Sequence, residues 1–157
     1  MARLGDGNAA RDLVGSMARF SGQPNLFSFC NLKAAPKLME DAKPMQIDGN
    51  MGTVQAVIEM LLQSHDGEIV ILPALPESWK KGNYRGLVAR GNVVVDAWWD
   101  GGCLTHAALV PRSDSQAVIN SGPGYYLQAG GEIVLPDADG RIRTHFNKDQ
   151  RYFLERR

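Results

Sequence analysis

The chain has 157 residues, and its 17 Lys+Arg balance 17 Asp+Glu, so it carries no formal net charge. That balance argues against a nucleic-acid binder or a polybasic membrane surface, both of which need a surplus of clustered cations. Charged residues at 22% and hydrophobic residues at 44% are globular values that exclude long disorder, and 17 glycines with 8 prolines point to many turns, hence to β-structure.

The first residues, Met-Ala-Arg-Leu-Gly-Asp-Gly-Asn, lack the apolar run of a secretory signal, and no stretch has the roughly 18 uninterrupted apolar residues of a membrane span. A first helix is expected from Asn8, a good N-cap, through Ala9, Ala10, Leu13, Val14, Met17 and Phe20, ending at Ser21-Gly22 with Pro24. Residues 24–47 hold three prolines and no sustained period, and read as a long loop of the kind that is often functional. A second helix is expected to start at Asp48-Gly49-Asn50. It carries Val54, Val57, Ile58, Leu61 and Leu62 as one apolar stripe, with Glu59 and Gln63 turned elsewhere, and stops at Ser64-His65-Asp66-Gly67.

From residue 67 the pattern changes to short strands. Glu68–Leu72, Leu87–Arg90, Asn92–Trp99, Cys103–Val110, Ala117–Asn120, Tyr125–Gln128, Glu132–Leu135 and Arg141–Phe146 are each bounded by turn residues. Asp100-Gly101-Gly102 signals a tight hairpin. The charged tail Arg151–Arg157 is expected to fray. The predicted fold is mainly β with N-terminal helices: residues 1–66 helical, residues 67–157 an antiparallel β-sandwich. Two helices with wide apolar stripes need partners. They either pack on the sheets or are the end of a larger helical domain.

Cys30 and Cys103 have no metal or disulfide-scaffold spacing and read as free thiols. His65, His106 and His145 are isolated, so no metal site and no cofactor is expected. Trp79, Trp98, Trp99 and Tyr84 form a stacking platform for a sugar or, more simply, core packing; adjacent Trp98 and Trp99 on a strand face opposite ways. His106 reads as structural, Asp96 and Asp100 as a surface strand and a turn, and Ser121-Gly122-Pro123-Gly124 as a turn that lacks the Lys of a phosphate loop.

The segment Pro44-Met45-Gln46-Ile47-Asp48-Gly49-Asn50-Met51-Gly52 packs a carboxylate, two amides and two glycines into a loop-to-helix junction. Either Asp48 or Asn50 caps the helix, or Asp48 is a functional carboxylate.

This motif resembles the C-terminal end of family-95 glycoside hydrolases, the inverting α-L-fucosidases. The resemblance runs over roughly residues 5–120. It rests on Asn25-Leu26-Phe27, on Gln46-Ile47-Asp48-Gly49-Asn50, and on Glu59-Met60-Leu61-Leu62-Gln63-Ser64-His65. It continues in Leu72-Pro73-Ala74-Leu75-Pro76 with Trp79, in Gly86-Leu87-Val88-Ala89-Arg90-Gly91, and in Val95-Asp96. It implies that residues 1–66 are the last helices of an (α/α)6 catalytic barrel with its base-bearing loop, followed by a C-terminal β-sandwich. It implies Asp48 as general base, with Gln46 and Asn50 in support, while the acid and the assisting asparagines of such enzymes are not recognisable in this chain. Glu59 reads as structural.

Family members reach the motif through a short segment ending His-Pro-Pro-Phe; here Ser28–Met45 is longer and ends Lys43-Pro44-Met45, and Met51 replaces the usual phenylalanine, where it is expected to fill apolar space. The implied partner is a fucosylated oligosaccharide or glycan, with L-galactose as a sugar of similar shape. The implied complement is the missing barrel, or self-association through the exposed helices. The chain alone is expected to be inactive. The competing reading is a non-catalytic carbohydrate-binding or structural sandwich. Compartment is left open, since a secreted or periplasmic enzyme would carry its signal elsewhere.

Overall fold

The computed structural model describes residues 1–24, 27–28 and 45–157. The longer segment before the motif, most of the predicted loop, Asn25-Leu26 and Cys30 lie outside the described residues. A single 3-10 turn, Ala2–Leu4, leads into α1, Gly7–Ser21. The N-cap of α1 is Asp6, whose carboxylate accepts the Ala9 N–H at 2.9 Å. Asn8 lies inside the helix, and its side-chain oxygen accepts from Glu77 N–H at 3.0 Å instead. Asp and Asn are equally good caps, so an adjacent pair is decided by which one the tertiary structure recruits. Gly22 closes the helix, its N–H bonding to Ala18 O.

The second helix, α2, is Ile47–Leu61, one residue ahead of the expected start. Its expected stripe holds in part: Leu62 is buried and Val57 and Leu61 pack against the two cores, but Val54 is exposed. Glu59 and Met60 are its buried residues and Gln63 just beyond is buried, whereas Ile47, Met51 and Val54, at helical spacing along one face, are exposed. The polar side chains can be buried because each is partnered: Glu59 by Arg3 and Gln55, Gln63 by the carbonyls of Ala2 and Glu59. Met51 therefore fills no core space. A small core of Ala2, Ala10, Met60 and Ala74, with Val14, Val57 and Trp79 against it, joins the helices to the following loop.

The chain turns from helix to sheet with no intervening loop. Leu62 is extended, and β1, Leu62–Gln63, pairs antiparallel with β2, Ile69–Ile71. The strands that follow are β3 Gly82–Ala89, β4 Val93–Asp100, β5 Cys103–Pro111, β6 Ser115–Asn120, β7 Tyr125–Ala129, β8 Glu132–Val134, β9 Arg141–Phe146 and β10 Tyr152–Arg156. They form a four-stranded sheet, β1-β2-β6-β9, and a six-stranded sheet, β3-β4-β5-β10-β7-β8. All pairings are antiparallel except β2 with β6.

In β4, Val93, Val95, Ala97 and Trp99 alternate inward and are buried. They share one core with Leu109, Ile119, Leu127, Ile142, Phe146 and Leu154 from both sheets. The β4–β5 hairpin turns on Gly101 and Gly102, both at positive φ, as the sequence suggests. Strand β3 begins five residues before the expected Leu87. Gly82 sits against the Trp99 indole, where a Cβ would come within 2.4 Å of the ring, so this glycine marks close strand packing and not a turn. The tail expected to fray is instead β10. It lies between β5 and β7, with Tyr152 and Leu154 buried.

Candidate active site

The motif lies at the start of α2. Gln46 is extended, and its carbonyl accepts the Asn50 N–H at 3.0 Å, the first helical bond. No side chain caps the helix. Asp48 sits in the first turn, exposed, with Oδ1 accepting its neighbour's Gly49 N–H at 2.9 Å. A negative charge in a first turn is favourably placed against the helix dipole. Neither half of the cap reading holds, because Asp48 and Asn50 both lie inside the helix.

Asn50 has a different task. Its side-chain oxygen accepts Ser28 N–H at 3.0 Å, and its amide nitrogen donates to Gln46 O at 2.6 Å. The Gln46 N–H in turn donates to Ser28 O at 3.0 Å. Asn50 and Gln46 thus clip the chain around Ser28 to the base of α2, beside Asp48. Gly49 makes room for this: a Cβ there would meet Ser28 Oγ at 3.1 Å and the Met17 methyl at 3.3 Å. Thr53 Oγ1 donates to Gly49 O at 2.7 Å and closes the turn. An apolar groove of about 290 Å³ runs beside the motif, lined by Ala10, Leu13, Val14, Met17, Gly52 and Ala56 among others.

The far end of α2 is bonded in a different way. Glu59 Oε1 accepts from Arg3 at 2.9 Å and from Gln55 at 3.0 Å. The Arg3 guanidinium is the main reason the Glu59 carboxyl is held below the usual carboxylate range, against the opposing effect of burial. Glu59 is structural, as expected, and lies at the opposite end of the helix from Asp48.

The four aromatic residues of the sugar-platform reading do not come together. Trp99 and Tyr84 are in the sandwich core, and Trp79 packs on the helical cluster. Trp99 Nε1 donates to Trp79 O at 2.8 Å, which links the two cores. Trp98, on the opposite face from Trp99, stacks on His106 at 4.4 Å, with the Arg85 guanidinium 5.5 Å from the ring centre. Asp96 accepts the Gly86 N–H at 2.7 Å across the β3 bulge. Desolvation pushes the Tyr84 hydroxyl well above its ordinary range. Among the described residues, no group of three or more His, Cys, Asp and Glu side chains is placed to hold a metal ion. Cys103 is free and exposed at the hairpin end. No described helix is long and apolar enough to cross a membrane.

The sequence comparisons make specific this two-helix start run directly into a two-sheet sandwich. Residues 1–61 match the glycosyl hydrolase family 95 catalytic domain, and residues 63–154 match the glycoside hydrolase family 95 C-terminal domain. The chain belongs to glycoside hydrolase family 95.

Among similar proteins, "Alpha-L-fucosidase 2" of Arabidopsis thaliana is 38% identical over 109 residues, covering 69% of this chain and 12% of the relative. "Probable alpha-fucosidase A" of Aspergillus oryzae is 33% identical over 86 residues, covering 48% of this chain and 12% of the relative. The corresponding protein of Aspergillus niger is 35% identical over 68 residues. The aligned part is thus a small fraction of each curated relative.

The two family matches meet where α2 passes into β1. The supporting residues Arg3, Gln55 and Ser28 escaped the sequence reading. Arg3 and Ser28 act through partners 56 and 22 positions away, which no local pattern encodes, while Gln55 and Glu59 are an i,i+4 pair on one helix.

Proposed function

We propose that this chain supplies the base-bearing loop and the C-terminal sandwich of an enzyme that hydrolyses terminal α-L-fucosyl bonds with inversion. Residues 1–66 are then its share of the barrel, and 67–157 the sandwich domain. The observation that carries the reading is Asp48: an exposed carboxylate, clipped beside Ser28 by Asn50 and Gln46, on a segment that matches the family's catalytic domain.

In the reaction, Asp48 takes a proton from water as that water attacks the anomeric carbon on the face opposite the leaving oxygen. A carboxylic acid roughly 6.5–9.5 Å away, supplied by the rest of the barrel, protonates the leaving group. Asp48 Oδ1 is oriented by the Gly49 N–H, which leaves Oδ2 for the water. Asn50 and Gln46 act as support for the loop. The substrate is a fucosylated glycan, which is neutral at the cleaved sugar and asks for no charged surface. The exposed apolar faces of α1 and α2 take the remaining barrel or, without it, a second copy.

The chain alone should show no turnover of an aryl α-L-fucoside, since the general acid of such enzymes is not recognisable in its sequence. Where the segment completes a family-95 barrel, Asp48→Asn should lower kcat by on the order of 10²–10⁴-fold, with β-L-fucose as the first product seen by NMR in the parent enzyme. Robust turnover by the isolated chain, abolished by Asp48→Asn, would overturn the view that it is a partial site. Retained activity of the Asn variant in the complete barrel would remove Asp48 from the role of base.

A further inference from the structure

The joint between α2 and the sandwich brings two buried polar atoms face to face. Glu59 is 8% exposed, and Arg3 and Gln55 both use its Oε1. Its Oε2 lies 3.8 Å from His65 Nδ1. Both atoms are closed to solvent, and neither has a hydrogen-bond partner among the described residues. A buried polar atom left bare costs about 1–3 kcal/mol, more when charged. A direct N–H···O bond between them satisfies both, and it is reached when the gap closes by about 1 Å.

The surrounding residues give that bond something to hold. The Ser64 hydroxyl accepts the Arg90 N–H at 2.9 Å, and His65 O accepts from Arg90 Nη1 at 3.3 Å, which ties residues 64–65 to the end of β3. Gln63 Nε2 donates to Ala2 O and Glu59 O. Leu72 N–H donates to Leu61 O at 2.8 Å, and Ala74 N–H to Met60 O at 3.2 Å. The charged groups facing His65 are Glu59 from α2, Arg3 from the 3-10 turn and Arg90 from the β3–β4 connection, all lining one cavity of about 390 Å³.

We infer that His65 keeps a proton on Nδ1 and closes it onto Glu59 Oε2, so that this proton fastens the end of α2 to the sandwich. The neutral Nδ1–H tautomer suffices for the bond, and the imidazolium makes it charge-assisted and stronger.

The test uses the chain without substrate, so it succeeds or fails independently of Asp48. Imidazole ¹⁵N shifts at pH 8 should show His65 mainly as the Nδ1–H tautomer; a dominant Nε2–H form with bare Nδ1 overturns the inference. Hydrogen exchange then reads the joint at the Leu72, Ala74 and Arg90 amides. His65→Phe should speed exchange there on the order of tenfold, and His65→Gln, which keeps a donor, should stay near the parent. Equal protection in the Phe variant and the parent overturns it as well, and the tautomer measurement needs no variant to fold.

Discussion

The sandwich and the two-helix region are both built from regularly spaced apolar residues, but only the sandwich buries them. Val95, Leu109, Ile119, Phe146 and Leu154 are closed to solvent between two sheets that cover each other. On the helices, Phe20 is 76% exposed, Met51 64% and Val54 58%. The helical core that does exist is three alanines and one methionine, with a few half-buried neighbours. The difference is one of stoichiometry. Each sheet brings the partner its apolar face needs, whereas among the described residues α1 and α2 cover each other in part and leave Phe20, Met51 and Val54 exposed. The sandwich closes its own core, whereas the helices leave apolar surface open among the described residues.

The sharpest way to break this contrast is to truncate one residue in each part. Phe146→Ala should cost about 3–5 kcal/mol in denaturant unfolding, because it opens a cavity between the sheets. Phe20→Ala should stay within about 0.5 kcal/mol, as for other exposed sites. Comparable losses would mean that the helical face is covered in solution.

A second experiment sharpens the same point. Replacing Phe20, Met51 and Val54 together by Ser, Gln and Thr should convert a self-associating chain to a monomer by light scattering, with the sandwich melting temperature unchanged. A parent chain that is already monomeric at high concentration would show that these faces do not drive association.

The smallest effects concern acid. Glu59 and Glu68 are both held below the usual carboxylate range, Glu59 chiefly by its hydrogen bond to Arg3 and Glu68 chiefly by that to Arg141. A carboxyl lowered on folding contributes stability that is present above its unfolded value and lost as pH falls through its folded one. Each should contribute under about 1 kcal/mol. Glu68→Gln should flatten the acid limb of sandwich unfolding below about pH 4.5, and Glu59→Gln that of exchange at the helix joint. The two limbs moving together would show that the regions unfold as one.

Much of the sandwich was legible in the sequence because its strands alternate and its turns are spelled with glycine. It became illegible where one residue type serves two purposes. Gly82 looks like a turn and is a packing contact; Asp6 and Asn8 are interchangeable as caps, and only the contact of Asn8 with Glu77 separates them. In β10, Arg and Glu mask the alternation of Tyr152 and Leu154. The helices face the cores with much of their expected stripes, through Ala10, Val57, Leu61 and Leu62, but the structure also buries Glu59 and Gln63, because their partners, Arg3 and Ala2, lie some sixty positions upstream. For the candidate site, composition marked the Gln46–Gly52 junction and resemblance gave Asp48 its role. The clip from Asn50 to Ser28 crosses 22 positions and had no local trace.

Strand β10 is the late-numbered strand that fills the gap between β5 and β7. Until the ribosome has delivered residues 152–156, the β3-β4-β5 and β7-β8 ribbons have no hydrogen-bonded seam between them. Each waits with an open edge that another nascent chain can pair with. Assembly of the large sheet thus waits for its last-numbered strand. A stalled or nicked product short of Tyr152 would be a candidate for aggregation long before it was a candidate for function.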